Sequence, residues 1–401
     1  MAWTAMAGKH TFVVPDEHQA RALANAFVAF GYPLVMAGPH DMSRFVPEWD
    51  SDRAVTDWTV TVVDEGPYAT DAQGSREWEA VSRSARMLAR EHRGYFLLGV
   101  EFDVSQLATM NPGRDLETHR NPGARPARPA PCPPAAAFTH ATLTLECEPP
   151  QGSGVDLGRL REVPWASLEH AYGPAEDIPA LIQGLVRDDG EWNELHGELI
   201  GGMVLHQGSC YSATPHVIPF LARLIGSDAL PAGRRADLYR DLLYAATRYG
   251  NSLLTDADGA AARGRQPFPA PWTLEVRDAV RAATPALLAR WNREPSLIKV
   301  LLASLAGLFP EHGAAFRDEI RQVAAGSPGS GVAVFSDLLA ALADDDAERA
   351  GRPAELLADG LGGAELADLD ALQLPMQIRV TNIVWQACLH IAVPRAPTRD
   401  T

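Results

Sequence analysis

Lysine is nearly absent from the chain, occurring only at Lys9 and Lys299, so arginine supplies almost all of the positive charge. Acidic residues outnumber basic ones, and the net charge is −16. An acidic chain gains little from nucleic-acid phosphates or from an anionic lipid surface. We therefore expect neither general nucleic-acid binding nor membrane binding. An acidic surface instead favours fast association with a basic protein partner.

Cysteine is also scarce, and the positions Cys132, Cys147, Cys210 and Cys388 are far apart, with no Cys-x-x-Cys pair. This spacing indicates reduced thiols rather than a disulfide framework or a zinc ribbon. No run of about 18 apolar residues could span a membrane. The first residues lack a basic stretch followed by an apolar one, so we expect no signal peptide and a cytoplasmic location.

Sequence motifs for phosphate or metal binding are incomplete. The glycine-rich stretch Gly326–Gly331 is not followed by Gly-Lys-Ser or Gly-Lys-Thr, as a phosphate-binding loop requires. In Asp256–Gly259 the glycine comes too early for a calcium loop, and no glutamate closes it. His196, His206 and His216 recur about every ten residues, which also follows from ordinary turns and helix ends. We expect no cofactor, no metal and no catalytic residue.

The N-terminal region, residues 1–110, alternates between strand and helix patterns. The first predicted helix starts at Pro15-Asp16-Glu17 and ends at Gly31, and the second is Ser75–His92. The predicted strands are His10–Val14, Tyr32–Ala37, Asp57–Asp64 and Tyr95–Val104. The order β-α-β-β-α-β predicts an α+β domain of the ferredoxin-like class.

Residues 111–155 have the composition of a linker. Asn111–Pro134 is rich in proline, arginine and alanine and has no periodic apolar face, which predicts an extended or disordered segment. Apolar and polar residues alternate in Phe138–Glu146, which predicts a strand. The sequence leaves open whether this strand pairs with an edge of the N-terminal domain or lies on the helical domain.

From residue 156 to residue 401 the apolar period is helical, which predicts an all-α domain. The predicted helices are Pro164–Tyr172, Ile178–Arg187, Glu191–Leu205, Ala213–Ile225, Gly233–Tyr249, Leu274–Asn292, Ser296–Phe309, Gly313–Ala325, Val332–Leu342 and Ala354–Asp359. Leu374–Val393 is apolar and β-branched, and fits either a capping helix, which we prefer, or a buried strand.

A short signature repeats within this region. Ile178-Pro179-x-Leu181 returns as Ile218-Pro219-x-Leu221 about 40 residues later, and Thr284-Pro285-x-Leu287 is a third copy. A proline at the start of a helix has no unsatisfied N–H, so each copy predicts a helix start. The longer spacing before the third copy matches a polar insertion at Asn251–Pro271.

Two resemblances follow from these patterns. The segments Trp165–Leu185 and His206–Ile225 are similar to HEAT-repeat proteins of high-GC bacteria, over about Pro164–Ala325. This resemblance implies an armadillo-like α-solenoid with a concave binding surface. The N-terminal region resembles the small domain of bacterial regulators of ribonuclease activity, on its element order and the Asp64–Tyr68 segment DEGPY.

The best candidate for a functional site is a polar surface around the turn between two predicted helices. The predicted helical repeats carry Trp165, Trp192, Trp272 and Trp291, which are assigned to the core. The alternative is that some of them line the concave surface, where aromatic residues are favoured as binding anchors. The predicted interaction surface consists of Trp192, His206, Gln207, Ser209, Tyr211 and His216.

The leading hypothesis is a non-enzymatic protein-binding scaffold, or an inhibitor or immunity-type protein directed at a basic effector. One alternative is a hydrolase or nucleic-acid-modifying enzyme that uses His206 and Cys210, since a thiolate activated by histidine is a nucleophile. A second alternative is a regulator of RNA turnover that acts through the N-terminal domain. The sequence leaves the oligomeric state open.

Overall fold

The structure is a computed structural model. It describes residues 5–39, 57–69, 72–105, 117–126, 145, 155, 157–186, 191–227, 229–262, 265–323, 330–361 and 374–392. The chain divides into two compact units. The first comprises residues 1–133 and 255–267, and the second comprises residues 134–254 and 268–401.

The first unit is a small antiparallel sheet with two helices. Its elements are β1 (Met6–Val14), α1 (Glu17–Phe30), β2 (Leu34–Pro39), β3 (Trp58–Tyr68), α2 (Ala72–Glu91), β4 (Tyr95–Asp103) and β5 (Glu117–Arg120). The strand order is β4-β1-β3-β2-β5, and each neighbouring pair is antiparallel. The predicted strands and helices of this region are therefore present.

A fifth strand lies within Asn111–Pro134, the stretch predicted to be extended or disordered. Glu117–Arg120 pairs with β2, with Leu34 opposite Arg120 and Ala37 opposite Glu117. All residues of this strand are exposed, which is why no apolar alternation marks it in the sequence. The strand predicted at Phe138–Glu146 lies almost wholly outside the described residues.

Both faces of the sheet carry apolar side chains. Phe12, Val35 and Val60 pack with Leu23 and Phe27 of α1 on one face. Leu34, Met36, Val63 and Phe102 form a smaller cluster that alternates with the first along the strands. The entry to α1 is capped by the Asp16 carboxylate, which accepts a 2.7 Å hydrogen bond from the Gln19 N–H.

The DEGPY segment at the end of β3 has a structural role. The buried Asp64 carboxylate accepts hydrogen bonds from the Gly66 N–H, at 3.0 Å, and from the Tyr68 hydroxyl. Gly66 has a φ of +59°, and a Cβ there would come within 2.4 Å of the Met6 carbonyl oxygen. These contacts give the aspartate and the glycine of the segment a structural role that does not require a bound ligand.

The second unit is mostly helical. It begins with short 3₁₀ turns and a two-residue hairpin, β6 (Glu169–His170) and β7 (Gly173–Pro174), where a helix over Pro164–Tyr172 was predicted. That prediction is wrong, because Leu168 has an extended backbone, with φ of −104° and ψ of 158°, and Glu169 and His170 then pair with β7.

The helices of this unit follow in order. They are α3 (Ile178–Val186), α4 (Trp192–Gly197), a π-helix (Glu198–Val204), α5 (Thr214–Gly226), α6 (Ala232–Ala262), α7 (Thr273–Leu288), α8 (Ser296–Leu308), α9 (Pro310–Gly313), α10 (Arg317–Val323), α11 (Gly331–Ala343), α12 (Ala347–Leu361), α13 (Met376–Arg379) and α14 (Thr381–Ala392).

Helix α8 is the centre of the helical core. Its residues 300–308 are buried at every position, which is expected for a helix that neighbours surround on all sides. It packs against α7, α10, α11 and α14. Within the predicted segment Leu374–Val393, the described residues form α13 and α14, and α14 packs against α8 and α12. The helix alternative is therefore the one observed.

Helix α6 corrects the predicted polar insertion. The helix continues to Ala262, about 13 residues beyond the predicted end at Tyr249. Leu253, Ala257 and Ala260 recur at helical spacing and are buried, although glycine and aspartate lie between them. The glycine and aspartate residues of this segment made its helical spacing of apolar residues hard to recognise in the sequence.

The prolines of the repeated signature do not occupy equivalent positions. Pro179 lies at the start of α3, whereas Pro219 is inside α5 and Pro285 is in the last turn of α7. Helix α5 begins instead at Thr214-Pro215. The spacing of this signature therefore does not define a uniform structural repeat.

Among the helices that the structure describes, none is both long and apolar enough to cross a bilayer.

Candidate interaction surface

The turn between the π-helix and α5 carries most of the predicted surface residues. Gln207 and Gly208 both have a positive φ, +50° and +78°. A Cβ at Gly208 would lie 2.7 Å from the Tyr244 hydroxyl and 3.0 Å from the guanidinium carbon of Arg248. Glycine is therefore required where the turn passes over these two side chains of α6.

Hydrogen bonds hold the second half of this turn. The Tyr211 N–H donates to the Thr214 hydroxyl at 2.9 Å, and that hydroxyl donates to the Val204 carbonyl at 2.6 Å. The Ser209 N–H donates to the His206 carbonyl at 2.9 Å. Because its backbone groups are paired locally, the turn is a rigid platform for its exposed side chains.

The β6–β7 hairpin is fastened to this turn. The Glu169 N–H donates to the Ser212 hydroxyl at 2.8 Å, and the Glu169 carbonyl accepts from the Ala213 N–H at 3.1 Å. At the tip, the Ala171 N–H donates to the Met203 carbonyl at 3.2 Å. The hairpin and the turn thus form one surface element.

Buried His170 fixes the tip of the hairpin. Its Nδ1 accepts a 3.1 Å hydrogen bond from the Tyr172 N–H, and its Nε2 lies 3.2 Å from a carboxylate oxygen of Asp177. Since Nδ1 is the acceptor, Nε2 carries the proton and donates to Asp177. This arrangement sets the direction in which Tyr172 projects.

Tyr172 is the most prominent side chain of the surface. It is 71% exposed, and its ring lies 5.3 Å from the ring of His206 at an angle of 57°. His206 is held in turn by a 3.2 Å hydrogen bond between its Nδ1 and the Gly201 carbonyl. A tyrosine supported in this way is a pre-organised contact residue.

The structure brings most of the predicted residues to this surface. His206 and Tyr211 are half-buried, Gln207 and Ser209 are exposed, and His216 is exposed in the first turn of α5. Tyr172 was not predicted, because it was assigned to the last position of the predicted helix Pro164–Tyr172. We call Tyr172, His206, Gln207 and Ser209 the Tyr172 surface.

Trp192 requires a correction, since it is only 6% exposed and belongs to the core. Its ring stacks on His196 with centroids 5.5 Å apart, and the Arg234 guanidinium lies 5.1 Å from its centroid. An aromatic side chain enclosed on both sides cannot contact a partner. Trp165 and Trp291 are buried as predicted, whereas Trp272 is 44% exposed.

A histidine–aspartate pair joins α4 to α6 beside Trp192. The His196 Nε2 lies 2.5 Å from a carboxylate oxygen of Asp241. Burial opposes protonation of His196, but the hydrogen bond and charge of Asp241, with the charge of Asp237, outweigh it and raise the pKa. The nearby Arg240 acts in the opposite direction.

The raised pKa of His196 makes the stability of the helical unit depend on pH. A histidine whose folded-state pKa exceeds its unfolded value of 6.5 stabilises the fold below that value. This stabilisation is lost as pH rises through the folded-state pKa. We expect Asp241→Asn to lower the free energy of unfolding by about 1–3 kcal/mol near pH 6, and by less at high pH.

Urea denaturation at several pH values, followed by circular dichroism, measures this difference. His216→Gln is the matched control, since that histidine is exposed. An Asp241→Asn effect that is constant from about pH 6 to about pH 9 would contradict the assignment.

The cysteines that the structure describes are buried. Burial raises the pKa of the Cys210 thiol to about 11, although the charge of Arg248 opposes the rise. Burial likewise raises the pKa of Cys388 to about 12, against the hydrogen bond with Ser304. A thiol with such a pKa is protonated at neutral pH and is a poor nucleophile.

The acidic cluster Asp344–Asp346 has partners within the chain. Asp344 forms ion pairs with Arg317 at 3.0 Å and with Arg349 at 3.1 Å. Asp345 accepts a 2.7 Å hydrogen bond from Gln377, and Asp346 accepts one of 3.0 Å from the Arg349 N–H. The cluster therefore stabilises the junction of α11 and α12.

Within the described ranges, no group of three or more histidine, cysteine, aspartate or glutamate side chains is arranged to hold a metal ion.

Comparison with known proteins yields no relative: no family model matches the chain, and no curated protein or solved structure shows significant similarity to it.

Proposed function

We propose that this protein binds another protein through the Tyr172 surface, as a scaffold or as an inhibitor of a basic effector. The observation that carries the proposal is Tyr172 itself, which is 71% exposed, with its backbone N–H bonded to His170 and its ring beside that of His206. Exposed aromatic side chains with little freedom to lose are the residues that most often dominate binding energy.

The charge around this surface supports a basic partner. Glu169, Glu176 and Asp177 are exposed on the hairpin segment. Neither the hairpin segment, residues 164–177, nor the turn segment, residues 205–218, contains a lysine or an arginine. An acidic rim around an aromatic anchor increases the association rate with a positively charged surface.

We also propose a specific fold class for each of the two units. The first unit is ferredoxin-like, which the order β4-β1-β3-β2 of its first four strands supports. The second unit is a HEAT-like α-solenoid, which the successive packing of α5 with α7, α7 with α8 and α11 with α12 supports.

The enzyme alternative has less support. A nucleophilic Cys210 requires a lowered thiol pKa, and burial raises the pKa of this thiol to about 11. The alternative of an RNA-turnover regulator depends on the Asp64–Tyr68 segment, whose aspartate and glycine have structural roles. The binding proposal is therefore the better supported one.

Tyr172→Ala tests the proposal. A partner captured by the tagged full-length protein from a native lysate is purified, and its affinity is measured by calorimetry. We expect the substitution to weaken binding at least about tenfold, because the anchor ring is lost. We also expect the wild-type association rate to fall steeply with added salt.

Leu356→Ala is the matched control, since Leu356 is also an exposed apolar residue but lies on α12. If Tyr172→Ala binds the purified partner as tightly as Leu356→Ala does, the Tyr172 surface is not the contact.

A further inference from the structure

A groove runs between α5 and α7 of the helical unit. The two helices pack directly against each other, and Val155 lines the groove beside them. Its cavity volume is about 560 Å³. Small-molecule sites in proteins occupy about 300–1,000 Å³, so the groove is large enough to hold a small molecule.

Small side chains on both helices create the space. The wall formed by α7 consists of alanines that recur at spacings of three and four residues and so share one helix face: Ala279, Ala282, Ala283 and Ala286. Ala222 and Gly226 line the groove from α5. The α7 wall therefore offers a ligand methyl groups and no hydrogen-bonding side chain, over about 10 Å of helix axis.

Two of the described residues that line the groove have polar side chains, Arg223 of α5 and Ser227 just after it. The Ser227 hydroxyl donates to the Leu224 carbonyl at 2.7 Å and accepts a 3.3 Å hydrogen bond from the Ala229 N–H. Because the serine is already bonded within its own turn, Arg223 is the polar group that remains for a ligand.

The Arg223 guanidinium is held in place beside the groove. Its Nη1 donates to the Leu157 carbonyl at 3.0 Å, and its central carbon lies 5.5 Å from the centroid of the Phe220 ring. Gly158 has a φ of +48°, and a Cβ there would come within 2.7 Å of Nη1. Glycine thus leaves room for the guanidinium, which has little freedom to lose when a ligand binds.

Arg223 has no internal counter-charge in the part of the chain that the structure describes. Other arginines of the helical unit do, since Arg235, Arg240 and Arg281 each form an ion pair with an aspartate or a glutamate. A guanidinium has five N–H donors, of which the bond to Leu157 uses one. The remaining donors can bind an anion, and a carboxylate matches two of them at once.

We propose that this groove binds a monocarboxylate with an unbranched alkyl chain of about eight carbons. The carboxylate accepts hydrogen bonds from Arg223, and the chain lies against the alanines of α7. An extended chain advances about 1.2 Å per bond, so about eight bonds match the length of the alanine wall. An aromatic acid fits less well, because the described residues that line the groove include no aromatic ring for stacking.

The test titrates sodium octanoate into the full-length protein and follows binding by calorimetry. We expect saturable binding with a dissociation constant of about 1 mM or lower, since octanoate has about ten non-hydrogen atoms. Acetate lacks the chain and 1-octanol lacks the charge, so each is expected to bind at least about tenfold more weakly. Absence of saturable octanoate binding up to about 10 mM overturns the proposal, and so does equal binding of octanoate and 1-octanol.

Two variants test the two ends of the ligand. Arg223→Met removes the charge at an exposed position, so it is expected to fold and to weaken octanoate binding at least about tenfold. Ala283→Leu places a larger side chain at a half-buried position of the groove and is expected to weaken binding to a similar degree. Equal binding by the wild type and Arg223→Met, with unchanged circular dichroism, overturns the proposal.

Arg281→Met is the matched control, because Arg281 also lies on α7 but pairs with Asp278 and does not line the groove. It is expected to bind octanoate as the wild type does. Tyr172→Ala is expected to do so as well, since this inference does not rest on the Tyr172 surface. Loss of octanoate binding in Arg281→Met equal to that in Arg223→Met would assign the effect to net charge and overturn the site.

Discussion

Glu294→Ala is expected to lower the free energy of unfolding of the helical unit by about 3–5 kcal/mol. The Glu294 carboxylate is fully buried and accepts hydrogen bonds from Arg235, at 2.7 Å, and from Arg290, at 2.8 Å. Its removal takes the buried counter-charge away from two guanidinium groups in a low-dielectric interior. The cost of breaking such a buried pair exceeds that of most single substitutions.

Glu294, Arg235 and Arg290 form a buried network. It also links other parts of the chain, because both arginines donate to backbone carbonyls elsewhere. Arg235 donates to the Leu230 carbonyl at 2.6 Å, and Arg290 donates to the Gly226 carbonyl at 3.2 Å. The buried Tyr239 hydroxyl lies 3.4 Å from Glu294, and burial together with the glutamate charge raises the pKa of that phenol. Loss of Glu294 therefore loosens the junction of α5, α6 and α7.

Urea denaturation followed by circular dichroism at 222 nm measures the effect, since the helical unit dominates this signal. Glu355→Ala is the control, because Glu355 forms an exposed pair with Arg352 and should change stability by less than about 0.5 kcal/mol. A Glu294→Ala variant within about 1 kcal/mol of the wild type would show that the network is dispensable.

The sheet unit is expected to lose about 3 kcal/mol of stability as pH falls from about 6.5 to about 4, because of His10. His10 is fully buried in β1 and stacks on Trp78, with ring centroids 5.0 Å apart. Burial, with the charge of Arg86 as a lesser cause, lowers the pKa of His10 to about 4. The unfolded chain takes up a proton below its ordinary pKa of 6.5, whereas the folded chain does not.

His10→Gln removes this titration, so we expect the variant to lose about 3 kcal/mol less than the wild type over the same pH range. Near-ultraviolet circular dichroism of urea-treated samples, together with hydrogen exchange of β1 and β3, reports on this unit. His18→Gln is the matched control, since His18 is exposed on α1. Parallel pH profiles for the wild type and His10→Gln would contradict the prediction.

Much of the secondary structure could be predicted because its signals are local. Asp16 and Gly31 mark the ends of α1, and the periodic apolar residues of α8 mark a buried helix. The errors arose where the local signals conflicted. The β6–β7 hairpin, which turns at Ala171-Tyr172, begins inside a predicted helix. Buried Leu253 and Ala257 extend α6 through a segment of polar composition.

The candidate site was less predictable, because its geometry depends on residues distant in sequence. The sequence places His206, Gln207 and Ser209 in a turn, but it does not place His206 beside the ring of Tyr172. It indicates no pairing of His196 with Asp241, 45 residues away, nor of Arg235 with Glu294, 59 residues away. It assigned Trp272 to the core and left Trp192 open between the core and the binding surface, whereas Trp272 is exposed and Trp192 is buried.

The sequence by itself determined the acidic charge and the order of the first strands and helices. Each of these follows from composition or from the periodicity of neighbouring residues. Only the tertiary structure decided which aromatic rings reach solvent and which buried charges meet. The physical reason is that exposure and pairing are properties of packed surfaces, which form between segments far apart in the chain.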